Sequence, residues 1–151
     1  MPPQVPALSS HLGYRLRQLS NHVSHGFALK LAEKDVTVAE WGLMRVLYDR
    51  EPTPPSRIAA EMGMTRGAIT KLADRLIEKA LVIREADDED GRAQTLRLTA
   101  RGVRFVPELA VLAETNEAEC FGSLSADDRR ILERILKETA SRLGLTTMPV
   151  D

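Results

Sequence analysis

Pro54-Pro-Ser-Arg-Ile-Ala-Ala-Glu-Met-Gly63, continued by Met64-Thr-Arg-Gly-Ala-Ile-Thr-Lys-Leu-Ala-Asp-Arg-Leu76, is the stretch whose reading decides the fold. Residues 54 to 62 have the length and spacing of a short helix. Gly63 breaks it, and Thr65 can cap a second helix that runs to about Lys79. Ala59 falls where two helices must approach closely. Gly63, four residues on, occupies a turn in which a left-handed backbone suits a residue without Cβ, and Ile69, six further, plugs the second helix into the first. Ile58, Met62, Leu72 and Leu76 complete a small core. With those side chains facing inward, Arg66, Gly67, Thr70, Lys71 and Arg75 are left on the outer face or flank of the second helix.

The segments on either side extend this reading. Leu81 to Glu85 and Thr95 to Leu98 read as two strands around an acidic loop that contains Gly91, which makes a hairpin. Upstream, Thr37 and Glu40 form a capping box with Val36 as the staple on Trp41, so a helix starts at Thr37 and runs to about Arg50. Glu51-Pro-Thr-Pro-Pro55 stops it. Before that, Leu8, Leu12, Leu16, Leu19, Val23, Phe27 and Leu31 recur at helical spacing without a proline. They predict one helix of about 24 residues, roughly 36 Å, longer than a small domain needs. After the hairpin, Thr99 caps a helix in which Pro107 should introduce a kink. Ser125 and Asp128 resemble a capping box for a last helix, whose apolar face is Ile131, Leu132, Ile135, Leu136 and Leu143.

The expected architecture is therefore mainly α with a small β-hairpin wing. Residues 1–36 form an arm and a first helix, 37–99 a winged helix-turn-helix, and 100–151 the C-terminal helices. Aromatic residues make up only 4% of the 151, so aliphatic side chains must fill the core. The single cysteine, Cys120, excludes an intramolecular disulfide and reads as a buried or interfacial thiol. No apolar run approaches the roughly 20 residues that cross a bilayer, and the proline-rich start does not read as a signal peptide, so a cytoplasmic protein without membrane contact is expected.

Net charge is −1, but its distribution is uneven: residues 55–105 hold 10 Lys and Arg against 8 Asp and Glu, whereas 107–151 hold 5 against 9. Four of those eight acids cluster from Asp87 to Asp90, so a local basic face remains possible in the middle segment. Duplex DNA asks for cations that meet phosphates and for short or forked side chains that reach base edges. Arg66, Thr70, Lys71 and Arg75 offer both, and Arg92, beside Gly91 at the tip of the hairpin, has the reach to enter a minor groove. The alternative is that these are solvated positions of an amphipathic helix. No nucleophile with base and orienting residue, no phosphate loop and no metal-ligand spacing appears, so no catalytic residue, cofactor or metal is expected. His22 and His25 lie close on the first helix, but no cysteine or carboxylate in the first 32 residues completes a site with them.

From about Leu8 to Leu143 the chain resembles the MarR family of transcriptional regulators. The resemblance rests on Trp41-Gly-Leu-Met-Arg-Val-Leu47, Ile58-Ala-Ala-Glu-Met-Gly63, Thr70-Lys-Leu-Ala-Asp-Arg-Leu76 with Leu81-Val82, and Asp87-Asp-Glu-Asp-Gly-Arg92 followed by Leu98-Thr-Ala-Arg-Gly102. Of the family's wing pattern Asp-x-Arg-Asp-x-Arg, Asp87, Asp90 and Arg92 match, and Glu89 replaces the first arginine. The resemblance implies a homodimer built by the first, fifth and sixth helices, a pseudo-palindromic operator and repression of transcription. It also implies a cleft for a small aromatic or phenolic effector, with Arg17, His22 and Trp41 as candidate lining. A winged helix used to dock on another protein, without specific DNA binding, is the alternative from a different class.

Overall fold

The computed structural model describes residues 1–87, 89, 91 and 93–146. Its elements are α1 (Leu12–Ala32), α2 (Val38–Leu47), α3 (Pro55–Met62), α4 (Arg66–Glu78), β1 (Val82–Ala86), β2 (Gln94–Leu98), α5 (Ala100–Phe121) and α6 (Ala126–Arg142), with a 3-10 turn at Leu8–Ser10 ahead of them. The fold is mainly α with one antiparallel hairpin, as the residue patterns required.

Burial explains the arrangement of α2, α3 and α4. Leu43, Met44, Ile58, Ile69 and Leu76 have lost essentially all solvent contact, and Ala59, Met62 and Leu72 join them in one cluster. Gly63 adopts φ 65° and ψ 32°, the left-handed conformation that ends α3. The chain turns there, with the Met64 N–H donating to the Ala59 carbonyl at 2.9 Å. Thr65 then caps α4, its hydroxyl accepting from the Ala68 N–H at 3.1 Å.

The hairpin pairs Val82 with Leu98 and Arg84 with Leu96. Period-two alternation sends Val82, Leu96 and Leu98 into the core. Thr53 adds a bridge to the outer edge of β2: its N–H donates to the Leu96 carbonyl at 3.0 Å, and its carbonyl accepts from the Leu96 N–H at 2.8 Å. The proline-rich segment that follows α2 therefore pairs with the sheet. Pro55, two residues on and the next that could bond to β2 on that side, has no N–H and opens α3, so the pairing does not extend beyond it. At the start of α5, Gly102 passes so close to the Leu81 carbonyl that a Cβ could not fit between them. Thr99 secures this crossing, its hydroxyl donating to the Ala80 carbonyl at 2.7 Å while accepting from the Gly102 N–H at 3.0 Å.

Two boundaries differ from expectation. The first helix begins at Leu12, because the Ser10 hydroxyl donates to the Ala7 carbonyl and His11 is extended, so Leu8 belongs to a separate turn. Helix α2 ends at Leu47, where Tyr48 is extended and Asp49 takes φ 58°, three residues before the expected stop. Helix α5, as expected, continues past Pro107 to Phe121.

The stripe on α1 divides in two. Leu31 is fully buried and Phe27 packs against the core, whereas Leu12, Leu16 and Leu19 are exposed. Helix α6 buries no residue, and Ile131, Ile135 and Leu136 also face solvent. Fully burying one such side chain is worth about 1.5 to 3 kcal/mol, so a single copy of the chain leaves a large favourable term unused.

Candidate nucleic-acid interface

The outer surface of α4 is set by its inner one. Ile69, Leu72, Ala73 and Leu76 face the core, and the 3.6-residue period therefore turns Arg66, Gly67, Thr70, Lys71 and Arg75 outward, all of them exposed. The Thr70 hydroxyl donates to the Arg66 carbonyl at 3.0 Å, which fixes its rotamer on the helix surface. Among the described residues no carboxylate forms an ion pair with Arg66, Lys71 or Arg75. Their charges stay available to a polyanion.

One acid interrupts this face. Asp74 lies one turn beyond Thr70, and its Oδ1 accepts from Arg84 Nη2 on β1 at 2.8 Å. A cleft of about 570 Å³ opens between the start of α3, α4 and the hairpin, and Arg66, Thr70, Asp74, Arg84 and Gln94 are among its walls. On the other face of the hairpin, Arg97 donates to Glu85 Oε1 at 2.6 Å. That hydrogen bond holds the Glu85 carboxyl below its ordinary value and raises the Arg97 guanidinium. In the loop, the Asp87 N–H donates to the Ala93 carbonyl at 2.9 Å and Asp87 Oδ1 accepts from the Glu89 N–H at 3.0 Å. Asp90 and Arg92, singled out in the wing motif, lie outside the described residues.

A second cleft, of about 680 Å³, lies between α1, α2 and α5. Trp41 and Phe27 form an apolar wall, their rings edge to face with centroids 6.3 Å apart. Of the three residues expected to line such a cleft, Trp41 does. Arg17 and His22 stand exposed on α1 outside its walls, and His25 and Arg45 supply its basic groups instead. Asn116, 5% exposed, forms part of the wall. Its Nδ2 donates to the Val23 carbonyl at 3.0 Å and its Oδ1 accepts from Lys30 Nζ at 3.3 Å. Among the described residues no cluster of histidine, cysteine and carboxylates is arranged to hold a metal ion, and no helix is long and apolar enough to cross a membrane.

Residue reading missed Arg84 and Asp74 at the first site and His25, Arg45 and Asn116 at the second. Alternation from Val82 would have put Arg84 on the inward face of β1, but nothing in the pattern names its partner.

A helix-turn-helix with a cationic outer helix, followed by an antiparallel hairpin and flanked by long helices, defines a winged helix-turn-helix protein. Residues 34–93 match the family model described as MarR family. Over that segment the chain is similar to the MarR family, and its curated relatives are described as transcriptional regulators. Among its relatives, the HTH-type transcriptional regulator MgrA of Staphylococcus aureus is 24% identical over 130 residues, 85% of this chain and 87% of its own length. CouR, described as a transcriptional repressor bound to a 23-mer DNA duplex, has a similar structure with a TM-score of 0.79 at 24% identity, over 93% of this chain and 99% of its own. BpsR of Bordetella bronchiseptica, described by the regulation of its DNA binding by 6-hydroxynicotinic acid, gives 0.77 at 20% identity over 91% and 98%.

Proposed function

We propose that this chain is a homodimeric repressor that binds a pseudo-palindromic operator and is released by a small aromatic or phenolic effector. The observation that carries the reading is the outer face of α4, where Arg66, Lys71 and Arg75 have no carboxylate partner among the described residues. Arg66 and Thr70, near the start of the helix, are the proposed base-reading residues, with Gly67 allowing close approach. Lys71 and Arg75 serve phosphates. Arg92 is assigned to the minor groove on its place in the wing motif. The CouR duplex complex supports DNA as the partner.

The exposed leucines of α1 and the exposed face of α6 are the proposed dimer interface, which divides the chain into the three regions 1–36, 37–99 and 100–151. Two copies would then carry their recognition helices to successive major grooves roughly 34 Å apart. The effector is assigned to the cleft beside Trp41, with Arg45 and His25 as the groups that meet a carboxylate. BpsR with 6-hydroxynicotinic acid is the supporting parallel.

Selection of bound duplexes from a random pool, repeated with aromatic acids present, tests the whole reading. A pseudo-palindrome should emerge, and at least one acid should weaken its binding. Sedimentation should find a dimer at micromolar concentration. Docking on a protein instead of DNA would leave no enriched duplex and no steep dependence of DNA affinity on salt.

A further inference from the structure

A carboxylate on the proposed DNA-facing side of α4 opposes phosphate binding, so an aspartate at position 74 calls for a reason. We propose that Asp74 and Arg84 are positioning residues that hold the hairpin at a fixed setting against α4, so that helix and wing engage DNA as one unit. The inference rests on the DNA-binding reading given above.

Three observations carry it. Asp74 is exposed between Lys71 and Arg75 in sequence, yet its Oδ1 is engaged by Arg84 Nη2 at 2.8 Å. Arg84 is opposite the fully buried Leu96, on the inward-facing side of β1 that it shares with Val82, and so reaches from the edge of the core towards α4. The space between α4 and the hairpin is an open cleft of about 570 Å³ whose walls include both residues. Packing does not fill that space, and the ion pair is the polar link across it.

The remaining anchors of the hairpin act elsewhere. Thr53 bridges β2 on its far edge, and the Glu85–Arg97 pair joins the two strands to each other. Val82, Leu96 and Leu98 seat the root of the hairpin in the core shared with α4, and beyond that root the Asp74–Arg84 pair supplies the polar link between β1 and α4. A two-stranded hairpin is marginal alone and takes its orientation from what it packs against. Losing the pair frees the wing to sample other settings. Groove contacts that need helix and wing together then weaken, while contacts to phosphate alone do not.

The sign of one substitution separates this role from a purely electrostatic one. Asp74→Ala removes a negative charge from the DNA face and liberates the Arg84 cation, so electrostatics alone requires tighter binding to every duplex. Positioning requires the operator selected from the random pool to bind at least about threefold more weakly, because the dimer loses two pairs. Affinity for random duplex should hold or rise. Arg84→Glu should lose operator preference, and adding Asp74→Lys should restore part of it with the pair reversed. Operator affinity that is unchanged or higher in Asp74→Ala overturns the proposal, as does equal weakening on both duplexes. If the unsubstituted protein binds no duplex, the DNA-binding reading itself fails, which is a different result from either.

Discussion

Lys79 Nζ, on the residue that closes α4, lies 2.9 Å from Oε2 of Glu40 near the start of α2. Glu40 is 2% exposed and its other oxygen accepts from the Thr37 N–H at 3.1 Å, so one carboxylate both completes the α2 capping box and pairs with the cation that closes α4. Lys79 also donates to the Asp35 carbonyl at 2.5 Å, in the turn that follows α1. Three chain segments thus meet at one ammonium group. Lys79→Met should destabilise the protein by about 2 kcal/mol, below the usual cost of orphaning a fully buried charge because Lys79 is itself partly exposed. Urea unfolding measures this. A loss under about 0.5 kcal/mol would show that water replaces the ammonium at little cost.

The same carboxylate predicts a pH dependence. Burial pushes the Glu40 carboxyl upward, but hydrogen bonds from Lys79 and from the backbone and hydroxyl of Thr37 outweigh it, and the folded value lies below the ordinary 4.5. A carboxyl with a depressed folded value contributes stability that is fully present above its unfolded value and is lost as pH falls through the folded one. The unsubstituted protein should therefore lose stability from about pH 5 downward. Glu40→Gln, less stable at pH 7, should show a shallower loss over that window. Parallel melting curves from pH 7 to 3.5 would contradict the assignment.

Ala80 offers a gain rather than a loss. It ends α4 at φ 60°, with the Leu81 N–H donating to the Leu76 carbonyl at 2.9 Å, a helix stop that ordinarily uses glycine. A left-handed conformation costs an L-residue roughly 1 to 2 kcal/mol, and the greater freedom of glycine in the unfolded chain returns part of this. Because Ala80 is exposed, its methyl group contributes no core packing. Ala80→Gly should raise stability by about 0.5 kcal/mol, read as a later denaturant midpoint with an unchanged slope. An earlier midpoint would locate the strain elsewhere.

How far residues alone carried the fold depended on the range of the interaction. Thr37 with Glu40, Gly63, Thr65 and Thr99 act within a few residues, and each forms the cap or turn its spacing announced. Ser10 and Tyr48 moved two helix ends because local hydrogen bonding and extended backbone there compete with a helical pattern that hydrophobic spacing alone would continue. The site divides in the same way. The outward face of α4 follows from the buried positions of the same helix, whereas Asp74–Arg84, Thr53–Leu96 and Asn116–Val23 join residues 10, 43 and 93 positions apart. No periodicity encodes such pairs. Family likeness points Arg17 and His22 towards the second cleft, whereas the helical phase of α1 turns Val23, His25 and Phe27 there.

The proposed division of labour on α4 leads to the most discriminating measurement. Arg66 opens the helix and Arg75 lies about two and a half turns further along, so the first enters a groove where the second meets backbone. Both are exposed and neither forms an ion pair among the described residues, so their substitution leaves no buried partner behind. Arg75→Ala should weaken the selected operator and a random duplex in similar proportion. It should also flatten the slope of log affinity against log salt by about one unit for each phosphate no longer neutralised, twice in a dimer. Arg66→Ala should cost about 1 to 3 kcal/mol per half-site on the operator, relax preference at one position, and narrow the gap between the two duplexes. Binding curves for both proteins on both duplexes across salt decide the assignment. If Arg75→Ala affects only the operator, or Arg66→Ala affects both duplexes alike, α4 enters the groove in the opposite sense and the roles of its two ends must be exchanged.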